Sequence, residues 1–169
     1  MKASPVLSML ALARPSFVTC FPVPREYQRI HEDLYGFLTA ARDKADVETT
    51  HRSYTMCQGV FQVFRRRLPV EDAIRFSNVL PAGIRALFVA EWDDVLLNKP
   101  NLAFENRSAL TNEVRNLRPT HNFAPESAIS DVAFALSQFV NEEKFDRVLE
   151  SLPPGAKEFW TPIDETEAM

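Results

Sequence analysis

Glu48 and His51 are the pair in this chain best spaced for chemistry. Three positions apart on a helix, a carboxylate and an imidazole share one face, and carboxylate-bridged di-iron bundles use two such pairs with two further Glu. The chain repeats itself at an offset of 72 positions, which provides a test. That offset places Thr120 and Phe123 where the second Glu and His would stand, and the nearby His121 has no Glu three residues ahead of it. The expectation is a solvated first helical turn, with no metal and no cofactor. His31-Glu32-Asp33 reads the same way, as a solvated cluster on a surface helix.

Arg65-Arg66-Arg67, with Arg75 and Arg85 further on, has two readings. Clustered on a surface, these cations would face nucleic acid or an acidic partner. In the last turn of a helix they would instead complement its dipole and cap free carbonyls. The offset matches the run with Ser137, Gln138 and Phe139, so the fold plan does not require it. A net charge of −4 disfavours a general polyanion binder, because phosphates are bound through surplus Lys and Arg. The stretch 126–169 carries about seven surplus negative charges and reads as an opposed acidic surface. Phe88 with Trp92, and Phe159 with Trp160, close the two copies on bulky aromatics. They either seal the seam between copies or line an apolar groove for a partner helix, a peptide or a hydrophobic ligand. Arg65, Arg66, Arg67, Arg85, Phe88, Trp92, Phe159 and Trp160 are therefore the candidate interaction residues. Phosphate-cradling glycine loops, zinc-protease helix motifs, cysteine pairs and glycine-flanked serine elbows are absent from the sequence. Cys20 and Cys57 lack metal or redox spacing, and Cys57 falls on an apolar stripe as a small core residue.

The elements that must position these residues are helical. Glycine is scarce, no segment sustains strand-like alternation, and proline does most of the punctuating. A helix is expected over 25–44, with Leu34, Leu38, Ala41 and Ala45 on one face, and a second over 46–67 with Tyr54, Cys57, Phe61, Phe64 and Leu68. Pro69 starts a short third helix carrying Val70, Ala73, Ile74 and Phe76, and Pro81 starts a fourth carrying Ile84, Leu87 and Phe88. After a connector at 93–103 the plan recurs. It has a helix over 105–117, a loop at 118–124, a helix opened by Pro125-Glu126 along Ile129, Val132, Ala133, Leu136 and Val140, a start at Asn141-Glu142-Glu143, and a restart at Pro153. Leu80-Pro81-Ala82-Gly83 matches Leu152-Pro153-Pro154-Gly155 across the offset. A small residue in the first turn at Gly83 and Gly155 suggests close approach of another chain segment.

Arg65-Arg66-Arg67-Leu68-Pro69-Val70-Glu71-Asp72-Ala73, followed by Leu80-Pro81, Arg85 and Trp92, resembles the bacterial family catalogued as domain of unknown function 2267, over roughly 35–160. The family's R-L-P-x-E-x-A helix start and Leu-Pro boundary are both present. Glu91 departs from the usual Gly before Trp92, and Asn78-Val79 from the common Ala-Gln before Leu80. The resemblance implies an all-helical, two-unit protein and assigns no activity, cofactor or catalytic residue.

The expected architecture is all-α, with two similar units of about four helices each at 26–92 and 104–160, packed as a pseudo-symmetric tandem repeat. An N-terminal arm at 1–25 and an acidic tail at 161–169 flank them. The expected function is a non-enzymatic protein-interaction or assembly module with an aromatic groove, whose partner is a protein. The alternatives are a carrier or small enzyme for a hydrophobic ligand in that groove, and a nucleic-acid-associated regulator using Arg65–Arg67. The cytoplasm is the expected compartment. Organelle targeting or export is the alternative, because the arm carries Lys2, an apolar run from Val6 to Ala13, and no acid before Glu26. That run is too short for a membrane-spanning helix.

Overall fold

The computed structural model describes residues 23–92, 101–117 and 124–162. Among these residues there are nine helices and no strand: α1 (Arg25–Gln28), α2 (Ile30–Lys44), α3 (Thr50–Arg65), α4 (Val70–Asn78), α5 (Ala82–Val89), α6 (Arg107–Asn116), α7 (Ala128–Ser137), α8 (Glu142–Ser151) and α9 (Ala156–Trp160). None is long and apolar enough to cross a membrane. The all-α expectation holds. The arm before residue 23, with Cys20 and the apolar run, lies outside the described residues, as do most of the connector, Thr120, His121 and Phe123, and the tail from 163.

Local chemistry accounts for the helix starts. Thr49, Asn106 and Asn141 accept bonds from the amides of Arg52, Ala109 and Lys144 at 3.2, 2.9 and 3.0 Å, satisfying donors that have no partner within the helix. Pro69 and Pro81 precede α4 and α5 with φ near −55°, where a missing N–H costs nothing. Several boundaries differ from the sequence reading. The helix expected over 25–44 divides at Arg29, and α3 begins at Thr50 rather than at 46, because Asp46 sits in the left-handed region at φ 49° and turns the chain. The second half opens at Arg107 and Ala128 instead of Glu105 and Pro125. Gly155, at φ 95°, rather than Pro153, precedes the last helix.

α3 is the central element, with eleven of its sixteen residues buried. Two of its buried hydroxyls are satisfied by carbonyls, Ser53 donating to Leu38 of α2 at 2.6 Å and Thr55 to His51 at 3.1 Å. α2 packs on α3, α5 and α7, and α3 also meets α6 and α7, so helices from both halves of the chain share one core. Val70 and Ile74 were expected on the inner stripe of α4 but are exposed, while Ala73, Phe76 and Ser77 of that helix face inward.

The core is built of closely packed rings, most of them tilted or edge-on to one another. Phe64 lies 4.7 Å from Phe76, 5.1 Å from Phe159 and 5.2 Å from Trp160, centroid to centroid. Trp160 also meets Phe76 at 5.5 Å and Phe61 at 5.7 Å, and Phe61 meets Phe88 edge-on at 5.6 Å. Separations of this kind add to area burial by about 0.5–1.5 kcal/mol per pair.

Candidate functional site

Glu48 and His51 do not lie together on one helix. The helix begins after the Thr49 cap, so Glu48 stands outside it and pairs with Arg52 at 3.2 Å, while His51 is exposed. No group of three metal-binding side chains exists among the described residues. His31 stacks on Tyr35, and Glu32 and Asp33 both lie within ion-pair distance of Arg29.

The arginine run turns inward. Arg65 and Arg67 are each 3% exposed. From the last turn of α3, Arg65 reaches the far end of α5, where Nη1 donates to the carbonyls of Phe88 and Ala90 at 2.6 and 2.8 Å and Nη2 to that of Glu91 at 2.9 Å. Its guanidinium also lies over Trp92, 5.2 Å from the ring centroid. Burial, with Arg66 adding repulsion and Glu91 opposing both, brings the Arg65 pKa down to about 10, so it stays cationic at neutral pH. Glu91 takes φ 55° here, an uncommon conformation for a residue with a side chain, where the family resemblance expects Gly.

Arg66 and Arg67 grip the other half of the chain. Both pair with Glu113 of α6, at 3.0 and 2.6 Å, and Arg67 also donates to the carbonyls of Val63 and Ala103. The Leu102 amide donates to the Arg66 carbonyl at 3.0 Å. Arg85 closes the end of α4 through the carbonyls of Ser77 and Leu80. Arg65, Arg67 and Arg85 thus occupy the carbonyl-capping role. Arg66, with 30% of its side chain exposed, is the most accessible of the run.

Phe88, Phe159 and Trp160 are at most 4% exposed, and only Trp92 is half-buried. These rings belong to the core that the two halves share. Cys57 is fully buried, and desolvation pushes its thiol up to about 12, against a weaker opposing effect from Ser53.

Sequence reasoning missed Arg107 and Glu113. Glu113 is a lone acid on a polar helix, and nothing local marks it as the partner of two cations 46 and 47 positions away. Two clefts lie in the second half of the chain. One, of about 280 Å³, includes Arg107, Leu110, Ile129 and Phe159 in its walls. The other, of about 390 Å³, lies between α7, α8 and α9 over Phe145, Leu149 and Trp160.

No curated protein matches the chain. A family model matches residues 35–159, nearly the span over which the resemblance runs. That match takes in every described helix except α1, the start of α2 and the final residue of α9, together with the inward-turned arginines and all of the ring cluster but Trp160, and the chain belongs to the family described as uncharacterized conserved protein DUF2267.

Proposed function

We propose that this protein is a non-enzymatic interaction module of two similar helical units, 26–92 and 104–160, joined by 93–103 and flanked by an N-terminal arm and an acidic tail. Its docking face is the stretch from Val23 to Tyr35, and its partner is an apolar helix of another protein in the cytoplasm. One observation carries this reading. Val23, Tyr27, Ile30 and Tyr35 are 52%, 46%, 37% and 53% exposed within thirteen residues, in a chain that keeps most of its described large apolar side chains inside. Ile30 and the half-buried Leu34 lie one turn apart on α2, with Tyr27 on α1 just before the break at Arg29, and an apolar partner helix can be gripped across them. Exposed tyrosine suits such a face because its ring is apolar and its hydroxyl tolerates water.

The test is capture of partners from the source cells by the wild-type protein and by a Tyr27→Ser, Ile30→Ser, Tyr35→Ser variant with unchanged circular dichroism. A partner held by the first and lost by the second supports the face. A partner held equally by both overturns it. A metal or organic cofactor retained in native mass spectrometry overturns the non-enzymatic reading.

A further inference from the structure

The exposed apolar surface at Val23–Tyr35 continues onto α5. A Cβ added at Gly83 would stand 2.9 Å from Leu34 Cβ and 3.4 Å from Ile30 Cγ2, so these two side chains of α2 abut α5 at that glycine. Beside Gly83, Ala82, Ala86 and Val89 follow at steps of four and three and share one stripe of α5. Ala82 is half-buried, Ala86 is exposed, and Val89 is 43% exposed. The offset of 72 sets Glu158 and Thr161 opposite Ala86 and Val89, both exposed and both polar, so the fold plan does not require an apolar stripe here. Open apolar side chains on two packed helices form a surface that gains by being covered.

The chain carries a matching segment of its own. Val6-Leu7-Ser8-Met9-Leu10-Ala11-Leu12-Ala13 holds seven apolar residues and no charge, and it belongs to the 22 residues that precede Val23. Nine residues, 14–22, join this run to the face, a tether that reaches roughly 30 Å when extended. The fifteen residues of α2 rise only about 22 Å, so the whole face lies within reach. A short tether also holds the run near the face at an effective concentration on the order of millimolar, which a separate partner must exceed or outbind. We propose that the run from Val6 to Ala13 packs back on its own chain, over Tyr27 and Ile30 and the α5 stripe of Ala86 and Val89. This rests on the reading of Val23–Tyr35 as a docking face and adds a regulation to it: a partner helix gains the face by displacing the run.

The test is paramagnetic NMR on the full chain of 169 residues, its intact mass verified, with a nitroxide on Ser8→Cys in a Cys20→Ser background. Cys57 is fully buried and stays out of the labelling reaction. The amides of Ile30, Leu34 and Ala86 are expected to lose most of their intensity while the label is oxidised and to regain it on reduction. The loss is expected to be the same at every protein concentration, because the contact lies within one chain. Leu7→Asp with Leu10→Asp is expected to restore Ala86, which is remote in sequence from the label and senses it only through packing, with circular dichroism unchanged. A loss at Ala86 that grows with concentration puts the run on a second copy and overturns the proposal. Equal losses with and without the two Asp substitutions overturn it, as does a loss confined to the residues next to the tether. The measurement uses the purified chain alone, so its failure leaves the partner capture standing, and a failed capture leaves the contact of the run standing.

Discussion

Arg65 shows how much one side chain holds in this protein. It satisfies three carbonyls at the end of α5 and covers Trp92, so Arg65→Met leaves buried acceptors without donors. The expected loss is about 2–4 kcal/mol, read as a lowered urea midpoint, and Arg65→Lys recovers only part of it because an ammonium lacks the planar fork. Cys57 gives a prediction in pH. Its thiol keeps its proton to about 12 in the folded protein, against 9.0 for an ordinary thiol, so above pH 9 the unfolded chain binds fewer protons than the native one. Stability then falls as pH rises, by up to about 1.4 kcal/mol per pH unit between 9 and 12. Urea titrations across that range should show a flatter decline in Cys57→Ala than in the wild type, and equal slopes would refute the assignment. That Cys57 belongs to the core was legible from its place on an apolar stripe. The acceptors of Arg65 were not, because they lie 23 to 26 positions away and become neighbours only when α5 packs on α3.

The helix starts were legible where one residue decides them, as at Pro69, Pro81 and Asn141, whose backbone or side chain acts within one turn. They were displaced where the turn before the helix decides, as at Asp46 and Gly155 with their positive φ. Two glycines matched by the internal offset do different work. In Gly83, inside α5, an added Cβ would stand 2.9 Å from the Ile30 carbonyl oxygen, so the glycine lets α5 lie close against α2. Gly155 precedes α9 at φ 95°, with an added Cβ meeting Phe104 at 2.5 Å. Gly83→Ala should cost about 1–3 kcal/mol in thermal or urea denaturation through forced separation of the two helices. Gly155→Ala should cost more, since it adds an unfavourable left-handed backbone to a clash. Similar losses at both positions would mean that the strain at Gly155 is relieved by movement of Phe104.

At the scale of the molecule, arginine closes helix ends in a chain with four glycines, since glycine is the commoner way to end a helix. Arg65, Arg85 and Arg107 satisfy the ends of α5, α4 and α9, and Arg66 and Arg67 tie α3 to α6 through Glu113. Glu113→Ala should therefore destabilise the whole fold by about 3–5 kcal/mol, because Arg67 is left charged and buried without its carboxylate. Equilibrium urea unfolding should show this loss in a single transition, as one shared core requires. A change under about 1 kcal/mol would mark the contact as a surface pair. The sequence by itself determined that the protein is all-helical and which residues start most of its helices. Periodicity, caps and prolines act over a few residues and are written locally. Only the tertiary structure decided that the arginine run faces inward, that Val70 and Ile74 face water, and that Phe88 and Trp160 fill a core. Whether a cation or a ring is buried depends on the surface packed against it, and here that surface is supplied by residues tens of positions away.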